Sequence, residues 1–455
     1  MSPRPNAASR TPRSSRAVHR SAGRPGYRTG RRLAAAAAAT AIAATGTIGG
    51  IALAPSAQAA EEVVQRPESG SFTLAGRGFG HGRGMSQWGA YGAADAGLAW
   101  AQILDFYYPG TTRTSVGNST IRVHITADKD GDTTVLPAPG LSVTHGRTVT
   151  ALPTGPNYTA WRAVRYPNGI TLQYRDAAGT WKAQRSFRGA AGGVLVFRTN
   201  SGVVRLALPN GTSQDLRGNV FATMSGTSMI TVLNTPMETY LRGVVPSEMP
   251  TSWHIEALGA QSVAARTYAA AYRDRQRARG ALWDICDTIS CQVFKGTATY
   301  NRAGVRTTQE YERTDRAIAA TSGTVMRAGK AANSPFAFAE YSASNGGFTV
   351  AAGPYYQVAK ADPYDGRMRN PNTAWNAVAP VARLEKEFGL GRLVDVRVLK
   401  RDGRGALGGR VQEMQLTGTS RTVTVSGTKM RQVLKLRSDW FVVTPTPPVS
   451  TTARR

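Results

Sequence analysis

The sequence predicts an α+β fold in which one long helix packs on β-structure and a β-rich unit is inserted into the chain. Three observations predict this class. Small apolar residues recur at helical spacing from about 252 to 278. Residues 118–222 alternate apolar and polar side chains in short runs. Glycines occupy every second position from Gly76 to Gly84. A chain of 455 residues has room for two or three such units.

The first 60 residues have the composition of an export signal. Residues 1–32 contain nine arginines and no acid, residues 33–53 are apolar and alanine-rich, and Ser56-Ala-Gln-Ala-Ala60 offers a cleavage site of small residues. This order is typical of a secretory signal peptide. An uncleaved membrane anchor is the alternative, because the apolar stretch is long enough to span a bilayer. The pair Arg31-Arg32 leaves the twin-arginine route open, but the Sec route fits better.

The chain is strongly basic, with a formal net charge of +28 that falls to +19 when the nine signal arginines are removed. Outside the membrane such a charge favours acidic neighbours. Anionic cell-wall polymers are therefore better partners than nucleic acid, although an arginine-rich genome would give the same charge without any partner. No stretch after residue 60 is apolar enough to span a membrane. We expect a secreted or cell-wall protein with no membrane span in its mature form.

Residues 61–117 form the next predicted unit. A short strand over Ser71-Phe-Thr-Leu-Ala75 enters the glycine-rich loop, and a helix from Tyr91 to Tyr107 ends at Pro109-Gly110. The glycines do not form a nucleotide loop, because they lack the G-x-G-x-x-G register and no Walker lysine follows. Alternating glycines allow close approach to another backbone or to a flat ligand. The polar groups offered there are His81, Ser86 and Gln87, with a structural role as the alternative for His81.

Two further units and a tail complete the prediction. Residues 118–222 form an antiparallel β unit of unknown role with no catalytic grouping. Residues 223–443 contain a strand at Met229-Ile-Thr-Val-Leu233, a long helix from about Ser252 to Ala278, and further helices and strands. Residues 444–455 are rich in proline and threonine and are predicted to be disordered.

Glu248 is the candidate general acid. It lies among apolar residues and prolines, between Val244-Val-Pro246 and Met249-Pro250. Burial against apolar atoms raises a carboxyl pKa, and a carboxyl that is protonated near neutral pH can donate to a glycosidic oxygen. The N-terminus of the following helix would oppose this by stabilising the anion. Capping that helix is the alternative role for Glu248.

The chain has two cysteines, Cys286 and Cys291. Outside the membrane a pair at this spacing can form one short-loop disulfide, with free thiols as the alternative. A zinc site would need four ligands, and the neighbouring Asp284 and Asp287 complete it poorly. We therefore predict a disulfide, no metal and no cofactor. The absence of G-x-S-x-G and H-E-x-x-H motifs argues against a serine hydrolase or a metallopeptidase.

A last polar cluster, Tyr341-Ser-Ala-Ser-Asn-Gly-Gly-Phe-Thr349, contains an Asn-Gly-Gly turn. It offers Ser344, Asn345 and Thr349 to a sugar, and an ordinary hairpin is the alternative.

These motifs resemble the SpoIID/LytB family, which joins the sporulation stage II protein D with amidase-enhancer proteins. The resemblance covers about residues 71–110 and 225–375 and not the β unit. It rests on the following stretches: Gly80-His-Gly-Arg-Gly-Met-Ser-Gln-Trp-Gly-Ala90, Tyr107-Tyr-Pro-Gly110, Tyr240-Leu-Arg-Gly-Val-Val-Pro-Ser-Glu-Met-Pro250, Glu256-Ala-Leu-Gly-Ala-Gln-Ser-Val-Ala-Ala-Arg-Thr-Tyr268, Ser290-Cys-Gln-Val-Phe294 before Gly296, and Ser342-Ala-Ser-Asn-Gly-Gly-Phe-Thr349.

The resemblance implies a SpoIID-like catalytic domain that acts as a lytic transglycosylase on peptidoglycan glycan strands, favouring strands without peptide stems. Glu248 would protonate the oxygen that leaves N-acetylmuramic acid (MurNAc). It would then act as base while O6 of MurNAc closes onto C1 to give a 1,6-anhydro end. Most glycoside hydrolases need two carboxylates, and no second one is evident beside Glu248. Candidates for binding the glycan or shaping the cleft are Gln261, Arg266, Tyr268, Gln292, Ser344 and Asn345, with internal pairing as the alternative for Arg266.

The sequence departs from the family pattern in two ways. The Gly-His-Gly motif precedes Glu248 by about 150 residues, whereas it usually follows the catalytic motif, so we expect this segment to fold back and complete the domain. Some members bind zinc through Cys and His near the cysteine loop, but no His lies near Cys286 or Cys291, so no zinc is expected. The alternative function is a non-enzymatic wall-binding protein that enhances an N-acetylmuramoyl-L-alanine amidase. A carbohydrate-binding β domain without catalysis explains the 240–268 motif poorly.

Overall fold

The structure is a computed structural model that describes residues 62–445, except for residue 168 and residues 189–192. The predicted signal segment 1–60 lies outside the described residues. So does most of the predicted tail, although the chain continues as a strand to Pro445. No helix in the described part of the chain has the length and apolar character needed to cross a membrane.

Seven α-helices and one short 3-10 helix lie within the described residues. They are α1 Gln87–Asp95, α2 Trp100–Tyr107, α3 Met237–Glu248, α4 Ile255–Ala278, α5 Glu312–Ala320, α6 Val381–Phe388, the 3-10 helix Ala406–Gly408 and α7 Gly427–Leu434. The single helix predicted over 91–107 is two helices, because Gly97 adopts a φ of +89° just after α1 and ends it.

The strands of the described residues are short. In chain order they are β1 Glu62–Gln65, β2 Ser71–Gly76, β3 Met85–Ser86, β4 Thr112–Ser115, β5 Thr120–His124, β6 Asp132–Val135, β7 Ser142–His145, β8 Thr148–Ala151, β9 Ala160–Tyr166, β10 Gly169–Arg175, β11 Trp181–Arg188, β12 Val194–Arg198, β13 Val203–Ala207, β14 Ser213–Arg217, β15 Asn219–Ser225, β16 Ser228–Pro236, β17 Ile285–Cys286, β18 Ala298–Tyr300, β19 Arg306–Thr308, β20 Thr324–Arg327, β21 Tyr341–Ser342, β22 Trp375–Pro380, β23 Leu393–Arg401, β24 Val411–Gly418, β25 Thr422–Ser426 and β26 Phe441–Pro445.

Two large sheets contain the predicted β unit. One has the order β11-β10-β9-β6-β13-β14-β18-β19, and the other has the order β17-β5-β16-β15-β12-β7-β8. Both sheets also take strands from beyond residue 222, since β16 pairs with β5 and β18 pairs with β14. Their apolar faces share one core with the helices. Residues 118–222 therefore fold as part of a larger unit, and the predicted mixed α+β class is confirmed.

Helix α4 lies at the centre of this first core. It is rich in alanine and buries fourteen of its residues, and it packs on α1, α2, α3, α5 and β20. Small side chains make this packing possible: a Cβ on Gly259 would lie 3.1 Å from the Cβ of Trp100. The helix begins at Ile255 rather than near Ser252, because His254 is its extended N-cap and accepts a hydrogen bond from the Glu256 amide. Its last turn carries Arg275 and Arg277, which suit the negative end of the helix dipole.

A second core joins the two ends of the described chain. Strand β2 lies between β22 and β26, and β1 pairs with β23 at the edge of the sheet β1-β23-β24-β25. Phe72, Leu74, Met414 and Phe441 are buried there. Because β2 leads directly into the glycine loop, this pairing holds residues 76–84 against the segment that contains β21. The glycine loop thus folds back as expected, although it lies far from the other motifs along the chain.

Candidate active site

A cleft of about 530 Å³ brings together six segments of the chain. Its lining residues are Phe79, Gly80, His81, Arg83, Gln87, Glu248, Tyr268, Ile289, Ser290, Cys291, Val293, Glu340, Tyr341, Ser342, Ala343 and Arg431. Four predicted site residues are therefore in one place: His81, Gln87, Glu248 and Tyr268. Cys291 of the predicted disulfide lies on the same wall.

Glu248 is the last residue of α3. Its Oε1 accepts a 2.9 Å hydrogen bond from the Val293 amide, and the side chains of Gln87 and Tyr341 line the cleft beside it. Burial raises the pKa of Glu248, and the Val293 amide and the side chains of Gln87 and Tyr341 oppose the rise without cancelling it. The expectation that the N-terminus of the next helix stabilises the Glu248 anion was wrong. Helix α4 starts only at Ile255, and His254 caps it. Glu248 lies instead at the negative end of α3, which disfavours its anion.

A chain of hydrogen bonds runs behind Glu248. Tyr240 Oη lies 3.1 Å from Gln292 Oε1 and donates to it. Gln292 Nε2 in turn donates to the phenolic oxygen of Tyr341 at 2.9 Å and to the carbonyl of Ala265 at 3.2 Å. Burial raises the pKa of Tyr341 well above its usual range, so its hydroxyl remains a donor. Gln292 is itself buried and shapes the cleft through Tyr341 rather than lining it.

A second carboxylate, Glu340, lies in the same cleft and was missed by the sequence analysis. Arg83 holds it through two hydrogen bonds, of 3.0 Å from Nε and 2.6 Å from Nη2. Burial alone would raise the pKa of Glu340, but the hydrogen bonds and charge of Arg83 outweigh it and the pKa is lowered. Glu340 directly precedes the quoted 341–349 motif, but nothing in its local sequence signals a cleft position.

His81 is a neutral acceptor. Burial and the nearby charge of Arg83 lower its pKa to about 4, and its Nδ1 accepts a 3.0 Å hydrogen bond from the Arg83 amide. A histidine in this state is not a general acid near neutral pH, although its Nε2 keeps a proton. The structure therefore places His81 on the cleft wall as a group that orients the glycine loop and offers its other ring nitrogen to a ligand.

The alternating glycines allow this loop to lie directly on the strand segment 340–344. Phe79 forms a bridge with Ser344, and Met85 and Ser86 pair in parallel with Tyr341 and Ser342. Gly84 has a φ of +61°, and a Cβ there would overlap the carbonyl oxygen of Glu340. The glycines thus serve backbone packing between the two walls of the cleft.

Arg431, from α7 of the second core, contributes a cation that sequence analysis did not single out. It is half-buried and lines the cleft, and its guanidinium has no ion pair or hydrogen bond among the described residues. Burial lowers its pKa, the charge of Asp439 opposes that effect, and the charges of Arg410 and Arg83 add to it. Both of those arginines have carboxylate partners of their own. Arg431 is therefore available to an anionic group of a ligand.

Several predicted binding residues lie below the cleft in a buried polar network. Ser86 is the N-cap of α1, accepts a hydrogen bond from the Gly89 amide and donates to Asp365. Ser344 Oγ also donates to Asp365, at 2.8 Å. Asn345 Nδ2 donates to Asp362 at 2.6 Å. All three are buried and none of them lines the cleft, so the structure places them where they hold the loops that shape it.

Gln261 and Arg266 lie inside the helical core, away from the cleft lining. Gln261 is fully buried and its amide has no hydrogen-bond partner among the described residues. Arg266 is 1% exposed, forms 2.8 Å and 2.6 Å hydrogen bonds with Glu238, and lines a separate cavity of about 390 Å³. The structure thus has the internal pairing expected as the alternative for Arg266, and Arg266 does not line the cleft that contains Glu248.

Cys286 and Cys291 form a disulfide with a Cα–Cα distance of 5.5 Å. The bond closes a loop whose outermost side chain, Ile289, is 91% exposed at the rim of the cleft. The loop then passes through Gln292 and presents the Val293 amide to Glu248. Within the described residues, the disulfide therefore supports both the hydrogen-bond chain behind Glu248 and the amide that faces it.

Known proteins resemble part of this chain, and the family match includes Glu248. Residues 225–327 match the SpoIID family model, described as Stage II sporulation protein. The chain is 31% identical to Stage II sporulation protein D of Bacillus subtilis (strain 168) over 219 residues, covering 46% of this chain and 61% of that protein. It is also 31% identical to the protein of the same name from Bacillus amyloliquefaciens over 225 residues, covering 47% and 62%.

A shorter match is closer in sequence. Over 53 residues the chain is 51% identical to the Amidase enhancer of Bacillus subtilis (strain 168), covering 12% of this chain and 8% of that protein. The chain thus spans about three fifths of the sporulation relatives and under a tenth of the enhancer. The matched family segment contains Glu248, Tyr268 and Gln292 but ends before Glu340, Tyr341 and Arg431.

Proposed function

From the premise that this chain belongs to the SpoIID/LytB family, we propose that it is an exported protein that remodels peptidoglycan as a lytic transglycosylase. It cleaves the bond between MurNAc and N-acetylglucosamine in glycan strands and leaves 1,6-anhydro ends. The single observation that carries the proposal is Glu248, a buried carboxyl with a raised pKa at the base of an open cleft.

Glu248 performs both proton transfers of this reaction. Its carboxyl gives a proton to the glycosidic oxygen as the bond from that oxygen to C1 of MurNAc breaks. The resulting carboxylate takes the proton of the MurNAc O6 hydroxyl as O6 bonds to C1, so the glutamate returns to its starting state and no water is consumed. A carboxyl pKa that is raised toward the working pH suits a group that must act as acid and then as base.

The neighbours of Glu248 stabilise the carboxylate that Glu248 becomes after it has protonated the leaving oxygen. The Val293 amide hydrogen-bonds to it, and the side chains of Gln87 and Tyr341 beside it also lower its pKa. Hydrogen bonds to a carboxylate are stronger than those to a neutral carboxyl. These three donors therefore stabilise the intermediate state more than the starting state, and they hold the carboxyl in one orientation.

The state of Glu340 supports a mechanism with one catalytic carboxylate. A retaining or inverting hydrolase needs a second carboxylate that is free to attack C1 or to activate water. Both oxygens of Glu340 already accept hydrogen bonds from Arg83. We assign Glu340 to holding Arg83 and the glycine loop, and O6 of the substrate to the attack on C1.

The position of Arg431 in the cleft favours a glycan substrate that carries carboxylates. MurNAc without a stem peptide exposes a lactyl carboxylate, whereas attachment of the stem converts that group to an amide. A half-buried cation without a carboxylate partner among the described residues favours the charged form. This supports glycan strands without stems as the substrate.

The test is mass spectrometry of glycan strands, with and without stems, after incubation with the purified protein, with Glu248→Gln, and with the matched control Glu312→Gln at an exposed helix position. We expect 1,6-anhydro products from the native protein and the control and none from Glu248→Gln. Reducing-end products would instead identify a hydrolase. No cleavage by the native protein would overturn the proposal.

One observation favours a second candidate, the 51% identity with an amidase enhancer over 53 residues. In that case the cleft binds glycan and the protein stimulates a cell-wall amidase without cutting the strand. The Glu248→Gln variant separates the two functions: an enhancer keeps its stimulation of amidase activity in the variant, whereas a transglycosylase loses its products.

A further inference from the structure

The loop between β5 and β6 carries three aspartates at alternate positions, in the sequence Asp128-Lys-Asp-Gly-Asp132. One carboxylate oxygen from each aspartate lies within 4.8 Å of the other two. Asp130 is exposed, Asp132 is half-buried and Asp128 is buried. None of the three lines the cleft that contains Glu248, so this cluster lies outside the proposed active site.

A second observation separates this loop from an ordinary acidic turn. Asp128 is only 4% exposed. Its Oδ2 accepts a 2.5 Å hydrogen bond from Thr231 on β16, while its Oδ1 has no hydrogen-bond partner among the described residues. A buried carboxylate oxygen without a partner is costly.

We propose that Asp128, Asp130 and Asp132 form a Ca²⁺ site. Calcium binds oxygen ligands at 2.3–2.6 Å, so two oxygens on one ion lie at most about 5 Å apart. The three carboxylate oxygens meet that limit. The free Oδ1 of Asp128 supplies the innermost ligand, and backbone carbonyls or water complete the six to eight oxygens that calcium takes.

The chemistry of the cluster favours calcium over other divalent ions. All three ligands are carboxylates, whereas zinc prefers ligand sets with cysteine or histidine. Magnesium demands near-octahedral geometry at short distances and retains its water, which suits a loop with several carboxylates less well. Arg162 donates to Asp132 Oδ2 at 3.2 Å. This contact leaves Asp132 Oδ1, which accepts only from Thr134, as the oxygen that turns to the ion.

Binding has a structural consequence. Asp128 is tied to β16 through Thr231, and Thr231 is hydrogen-bonded to Thr133 of the strand that begins at Asp132. An ion that draws the three carboxylates together therefore joins the β5–β6 loop to both large sheets. We expect the ion to stabilise the native fold, because it binds the folded loop and not the unfolded chain.

The experiment is calorimetric titration of the EDTA-treated full chain with CaCl2, together with thermal unfolding in CaCl2, MgCl2 and EDTA. The variants are Asp130→Asn and Asp132→Asn, with Glu68→Gln as a control at an exposed acid elsewhere. We expect saturable binding of one Ca²⁺ and a rise in Tm of about 2–4 °C at saturation. In the Asp variants the calcium affinity should fall at least tenfold and the rise in Tm should shrink with it. Both should be unchanged in Glu68→Gln.

Three results would overturn the proposal: no saturable heat with CaCl2, an equal response to MgCl2, or unchanged calcium affinity in Asp130→Asn. Asp130 is exposed, so its replacement keeps the fold, and circular dichroism of that variant verifies this. The readout is binding and unfolding rather than glycan cleavage. Its outcome is therefore independent of whether the transglycosylase proposal succeeds.

Discussion

Gln292 Nε2 donates a 2.9 Å hydrogen bond to the phenolic oxygen of Tyr341, so the Tyr341 hydroxyl proton must point elsewhere. The Glu248 carboxyl lines the same cleft as Tyr341 and is the acceptor we assign to that proton, since the Tyr341 side chain lowers the pKa of Glu248. Gln292 is itself held by Tyr240 and by the carbonyl of Ala265. A buried amide thus determines the orientation of the donor that faces the proposed catalytic carboxyl.

Replacing Tyr341 with Phe removes this donor. Because the Tyr341 side chain lowers the pKa of Glu248, we expect that pKa to rise and the basic limb of the pH–rate profile to move to higher pH. Loss of one hydrogen bond to a charged group should reduce kcat by about tenfold. The measurement is the pH dependence of 1,6-anhydro product formation. Tyr272→Phe is the matched control, since Tyr272 contacts Tyr268 and Phe338 instead; an unchanged profile in Tyr341→Phe would contradict the assignment.

Replacing Glu340 with Gln tests whether a second carboxylate takes part in the chemistry. We expect the products to remain 1,6-anhydro ends and the rate to fall by less than about tenfold, because Glu340 holds Arg83 rather than the substrate. Products are identified by mass spectrometry. If the native protein gave reducing ends that disappeared in Glu340→Gln, Glu340 would be a catalytic base or nucleophile.

The same Glu340→Gln variant also tests how the contribution of Glu340 to the free energy of unfolding depends on pH. The pKa of Glu340 is lowered in the folded protein from 4.5, so its stabilising contribution is present above that value and is lost as the pH falls through the folded pKa. The native protein should be more stable than the variant at pH 7, by about 1 kcal/mol for a partly exposed pair. The gap should shrink below pH 4.5. Urea unfolding at both pH values checks this, and a gap that widens in acid would contradict it.

Replacing Arg431 with Met removes a cleft cation that forms no ion pair within the described part of the chain. We expect KM to rise about tenfold for strands with free lactyl carboxylates and to change little for strands that carry stems. Arg431→Lys should recover part of the loss. Stability should not fall, since Arg431 is half-buried near two other arginines and burial already lowers its pKa. An equal loss on both substrates would argue against recognition of the carboxylate.

Replacing Arg266 with Met should act on stability rather than on substrate affinity. It leaves Glu238 without its buried partner, which should cost about 3–5 kcal/mol in the free energy of unfolding. The double variant with Glu238→Gln should recover part of that loss, as measured by urea unfolding. A large rise in KM with unchanged stability would return Arg266 to the binding residues.

Local sequence predicted the apolar setting of Glu248, the β-rich middle of the chain and the pairing of Cys286 with Cys291, because each depends on neighbours within a few residues. It predicted the long helix for the same reason, since its small residues recur at helical spacing. The start of that helix was placed about three residues early, because a histidine N-cap has no strong sequence signal.

Tertiary structure alone decided which polar residues face the cleft. Ser86, Ser344 and Asn345 lie in the same motifs as residues that line it, yet they point into a buried network with Asp362 and Asp365. Glu340 and Arg431 reach the cleft from segments far apart in sequence, and β2 brings the glycine loop to them by pairing with β22 and β26. The residues themselves determined the available chemistry, a raised-pKa carboxyl and hydrogen-bond donors. The burial and the ion pairs of these groups depend on contacts between segments that are distant in sequence. Only the folded chain therefore determined which of the groups face the cleft and can contact a ligand.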